Sequence, residues 1–74
     1  MNTDVEIRIG RNIKILREKA WLTQDALAIQ LQLKGCDITR SALAKIEVAQ
    51  RHIYVDEIIL LKELLNVSFE ELLK

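Results

Sequence analysis

Seventy-four residues weighing 8.6 kDa hold one small domain, which excludes a deep active-site cleft between domains. Eleven basic residues balance eleven acidic ones, so no basic tail or uniformly cationic surface exists for indiscriminate polyanion binding. Half of the residues are hydrophobic, proline is absent and glycine occurs twice, a composition that predicts helices throughout and no flexible linker.

In chain order, the first helix is expected over about Val5 to Ala20. There Ile9, Ile13, Leu16 and Ala20 share one face, while Arg8, Arg11, Lys14, Glu18 and Lys19 fall mainly elsewhere. Thr23 can cap the free amides of a second helix running from Gln24 to about Leu33, and Gly35 supplies a left-handed stop. The stretch LKGCDI breaks the helical pattern and reads as a connection. Thr39 is the next N-cap, opening a short third helix with Leu43 and Ile46 inward and an end near Val48. After AQRHIYV, Asp56 is expected to cap a fourth helix that buries Ile58, Leu61 and Leu65 and stops at Asn66. Ser68 and Glu71 form a capping-box pattern for a fifth, short helix. The expectation is an all-α domain, with residues 1–74 packed as five helices around one core.

Charge is unevenly spread. Nine basic and six acidic residues precede Ile53, whereas two basic and five acidic residues follow from it. A nucleic-acid face on the first part and an ordinary mixed surface both fit this asymmetry. No uncharged run approaches the roughly 18 to 20 residues that span a bilayer. The start MNTDVEIRIG carries acids and lacks an apolar stretch ending in small residues, so it does not read as a signal peptide. The expected location is the reducing cytoplasm, with no membrane partner.

Catalytic constellations are thin. His52 is the only histidine and Cys36 the only cysteine, so a disulfide framework and a zinc finger are excluded, and no nucleophile pattern surrounds His52. Glu70 and Glu71 point about 100° apart on a helix and do not make a carboxylate pair. Neither glycine belongs to a phosphate-cradling motif. No enzyme, metal or cofactor is expected.

A helix, a turn and a second short helix with a threonine cap and a polar face form the arrangement that sets one helix into a DNA major groove. With IGRNIKILREKAWLTQDALA, ITRSALAKIE and VDEIILLKELLNVSFEELL in that order, the chain resembles the Cro/C1-type (XRE-type) helix-turn-helix domains, which are five-helix and lambda-repressor-like. The resemblance covers about residues 9–73. It implies a sequence-specific double-stranded DNA-binding regulator, a repressor by preference, with the third helix in the major groove and the protein on the nucleoid when bound.

Carried over residue by residue, the resemblance makes Gln24 a phosphate contact that also braces the recognition helix, and Arg17 with Glu47 a structural ion pair. Arg40, Ser41, Ala44 and Lys45, outward on the third helix, become the base-reading candidates. Thr39, Lys34, Gln50, Arg51 and His52 become phosphate contacts. Three departures stand out: the connection before the third helix is longer than the family's tight turn, Ala49 stands where glycine is common, and Trp21 replaces a glycine or polar residue. Trp21 is expected to be a partly buried aromatic lid.

Ile59, Leu60 and Leu64 cannot share the buried face of the fourth helix with Ile58, Leu61 and Leu65. Two readings stay open for them: a partner surface, supporting a homodimer on half-sites about one DNA turn apart, or part of a generous core. The rival function is a protein-interaction module of the same fold that binds a protein partner through this surface, as an antitoxin-like or regulatory subunit does.

Overall fold

Short polar side chains set where the helices begin. The structure, a computed structural model, describes residues 3–74, with α1 (Asp4–Lys19), α2 (Gln24–Leu33), α3 (Arg40–Glu47), α4 (Val55–Leu65) and α5 (Phe69–Leu73). Thr3, Thr23 and Thr39 each accept a hydrogen bond from the amide three residues on, at 3.1, 3.0 and 3.1 Å. Ser68 accepts from the Glu71 amide at 3.1 Å, and the Glu71 carboxylate accepts from the Ser68 amide at 2.9 Å. The start of α4 differs from expectation. Asp56 lies exposed within the first turn, and Tyr54 holds the N-cap position. The buried Glu57 carboxylate, already held by Arg51, takes the Tyr54 amide at 3.0 Å.

The first four helices end in the same hydrogen-bond pattern. The Leu22, Cys36, Gln50 and Val67 amides donate back to the Arg17, Leu31, Lys45 and Lys62 carbonyls. In each case the residue before the donor turns left-handed: Trp21 at φ 60°, Gly35 at 85°, Ala49 at 60° and Asn66 at 56°. Glycine and asparagine suit that conformation; tryptophan and alanine are strained in it by about 1 to 2 kcal/mol. Trp21 is 93% exposed and is therefore no lid, because the left-handed turn aims it outward while Leu22 packs inward. Trp21→Gly is expected to stabilise the domain by about 0.5 to 1 kcal/mol net of the added unfolded-state entropy, raising Tm by several degrees. Ala49→Gly should gain less, since Ala49 is buried and its methyl group would be lost. Thermal unfolding followed by circular dichroism compares the two.

α1 packs on α3, α4 and α5, and α2 on α3 and α4, around a core to which each helix and the Ile38 of the connection contribute. On α1 the buried face runs through Ile9, Ile13 and Arg17; Ala20 lies past the helix end and is exposed. Gly10 is buried where α1 meets the end of α3, and a Cβ there would stand 2.4 Å from the Ile46 carbonyl oxygen. The Asn12 side-chain amide donates to the Leu72 carbonyl at 2.8 Å, joining α1 to α5. Gln32 donates to the Ile38 carbonyl at 2.9 Å, so the connection between α2 and α3 is anchored from both sides, by this bond and by the buried Ile38. On α4, Leu60 and Leu64 are half-buried against the core, and Ile59, with Val55 one turn before it, is exposed. No helix among the described residues is long and apolar enough to cross a membrane.

Candidate nucleic-acid interface

α3 divides cleanly into two sides. Leu43, Ile46 and Glu47 are buried, whereas Arg40, Ser41, Lys45 and Val48 are exposed and Ala44 is half-exposed. At 100° per residue the outward group spans an arc of about 140°. Two cations and no anion stand on it, because Glu47, the helix's one acidic residue, points inward. Sequence reasoning missed Val48, which lies near the middle of this arc; periodicity carried one residue past the helix end would have found it.

Behind that surface runs a chain of polar contacts. Arg17 donates to Glu47 through Nε at 2.7 Å and a terminal nitrogen at 3.2 Å, and its other terminal nitrogen donates to the Leu22 carbonyl at 2.8 Å. The Glu47 hydrogen bond raises the Arg17 pKa further, against the opposing effect of burial. Glu47 also accepts from the Gln24 amide at 3.0 Å, and the Gln24 carbonyl accepts a long, 3.4 Å bond from Arg40. A buried ion pair thus orients the amide of Gln24, and the oxygen of that amide tethers the first residue of α3.

The remaining sequence-derived candidates are scattered around this centre. Thr39 caps α3, and Lys34 is exposed at the far end of α2, about 15 Å from Gln24 along the helix. Gln50 is exposed in the loop after α3. Arg51 has a competing partner: its two terminal nitrogens each donate to a Glu57 oxygen at 3.0 Å, one donates to the His52 carbonyl, and the guanidinium lies over the Tyr54 ring. Held this way, Arg51 clamps the loop between α3 and α4, and two of its five N–H donors, one on Nε and one on a terminal nitrogen, take no part in these bonds. His52 Nδ1 lies 2.6 Å from a Glu6 oxygen, a hydrogen bond that holds the Glu6 carboxyl below its usual range.

Burial pushes the Glu57 carboxyl up, but Arg51 and the Tyr54 amide outweigh it and hold the carboxyl below the ordinary range. A depressed folded-state pKa adds stability that is complete above the unfolded value, about 4.3, and lost as pH falls through the lower folded value. Chemical denaturation between pH 6 and 2.5 should therefore show an acid-side loss that Glu57→Gln flattens. An unchanged profile in the variant would show that the pair does not govern acid stability.

A search of curated protein sequences finds no match. Among solved structures, the crystal structure of the DNA-binding domain of BldD matches with a TM-score of 0.81 over 100% of both chains, at 18% identity, a likeness of fold. The model of the helix-turn-helix family matches residues 13–72. The chain belongs to that family, in its Cro/C1 type.

Proposed function

We propose that the protein is a double-stranded DNA-binding transcription regulator that inserts α3 into the major groove. The observation that carries this is the outward side of α3: Arg40 and Lys45 exposed with no acidic residue on that side, and Gln24 bonded to Arg40. Family membership and the fold shared with a DNA-binding domain support it. Arg40 is proposed to donate two hydrogen bonds to a guanine edge and Lys45 to reach a guanine or a phosphate, with Ser41 and Ala44 against neighbouring bases. Gln24, Thr39, Lys34, Gln50, Arg51 and His52 are proposed to line the phosphate backbone, Arg51 through the donors that its pairing with Glu57 leaves. The protein acts as a repressor in this proposal, as a homodimer covering two half-sites about one turn apart. Binding alone is required, without covalent chemistry.

Selection from a random duplex pool at about physiological salt tests this, with an Arg40→Ala, Lys45→Ala double variant alongside. A palindromic motif that the variant loses supports dimeric readout through α3. Arg40→Ala alone is expected to cost roughly 1 to 3 kcal/mol on the best site and to relax one base position. An equal loss on every sequence would make Arg40 a phosphate contact, and no enrichment for either protein would sink the proposal. Affinity should fall steeply with salt as counterions are released.

A further inference from the structure

From the position of Val48 we infer that it is a specificity residue, reading the 5-methyl group of a thymine. The inference rests on the DNA-binding reading above. Val48 is 60% exposed at the C-cap of α3, so the core gains little from its two methyl groups. A β-branched residue is also a weak helix former, so neither packing nor propensity accounts for valine at this place.

Its setting fits a base edge. Val48 falls near the middle of the outward arc, with Ala44 one turn before it, and together they make a short apolar strip between Arg40 on one side and Ser41 and Lys45 on the other. Helical side chains lean toward the N-terminus, so Val48 covers the turn that carries Ala44 and Lys45. At 1.5 Å per residue Val48 lies about 12 Å along the helix from Arg40 and on the same outward side, within the reach of a few base-pair steps. The apolar group that a B-form major groove presents among its donors and acceptors is the thymine methyl.

The test uses the best duplex from the selection and a series in which each thymine is replaced singly by deoxyuridine, which deletes the methyl and keeps every hydrogen-bonding group. The wild-type protein is expected to lose about fourfold in affinity at one thymine per half-site, the worth of one buried methyl. Val48→Ala should bind the parent duplex as weakly as the wild type binds that deoxyuridine duplex, and should no longer distinguish the two. Circular dichroism confirms that the variant is folded, which its exposed position favours. Insensitivity of the wild type to every replacement, or an undiminished penalty in Val48→Ala, would overturn the inference while leaving DNA binding intact. Absence of any selected duplex would overturn the DNA-binding reading and this inference with it.

Discussion

Glu47→Ala is expected to lose about 3 to 5 kcal/mol of stability, the usual cost of removing one partner of a buried ion pair. A domain of 74 residues has about 4 to 11 kcal/mol in total, so the variant approaches unfolding at ordinary temperature. The loss comes from what remains behind. Arg17 is 7% exposed and would keep its charge with only the Leu22 carbonyl as acceptor, while the Gln24 amide would lose the oxygen that orients it. Thermal and urea unfolding measure the effect, and a loss below about 1 kcal/mol would show that water replaces the carboxylate without penalty. The double variant Arg17→Met, Glu47→Leu should recover much of the stability, because an apolar pair needs no desolvated charge. It should not recover the orientation of Gln24. If that amide matters for DNA, the double variant will be folded and still bind weakly.

Gly10→Ala is the second large effect, and its sign runs against propensity. At an open helical position the change gains about 1 kcal/mol. Here the new Cβ would stand 2.4 Å from the Ile46 carbonyl oxygen and 3.0 Å from that of Glu47, both main-chain atoms that cannot rotate away. α1 and the end of α3 must separate, at a net cost of about 2 to 3 kcal/mol, or a fall in Tm of about 10 °C or more. Unchanged thermal stability would mean that the two helices are not this close. Since the displaced element is α3, DNA affinity should fall as well, at temperatures where the variant is fully folded.

The helix starts at Thr23, Thr39 and Ser68 were legible in the sequence because each depends on a hydroxyl and an amide three residues away. The stops at Gly35 and Asn66 were legible for the same local reason. Asp56 misled because its rival, Glu57, is aimed by Arg51 across a loop, and no local pattern records that pairing. Trp21 differs for another reason: hydrophobicity favours burial, whereas the left-handed turn decides the direction of the side chain and leaves it exposed. Leu60 and Leu64 needed the packed structure, since helix periodicity alone cannot say how far neighbouring elements wrap around α4.

For the candidate site, periodicity on α3 was enough to separate outward from inward positions. The pairing of Arg17 with Glu47 was reachable only through family resemblance, because thirty residues separate the partners. The pairing of Arg51 with the buried Glu57 is a feature that charge reading alone does not show, because it is set by how the loop folds back on α4. Gly10 did leave a signal, since a glycine inside a strongly helical pattern often marks close backbone approach. Its partner helix could not be named without the fold.

The bond between Asn12 and the Leu72 carbonyl also bears on how the protein comes off the ribosome. These groups are sixty positions apart, and synthesis at roughly 5 to 20 residues per second separates their appearance by about 3 to 12 s. Throughout that interval the nascent chain has α1 but not α5, the short helix that packs on it. Premature termination before α5 would release a four-helix chain without Leu72 in its core and with the part of α1 that α5 packs on uncovered, a natural substrate for chaperones and proteases.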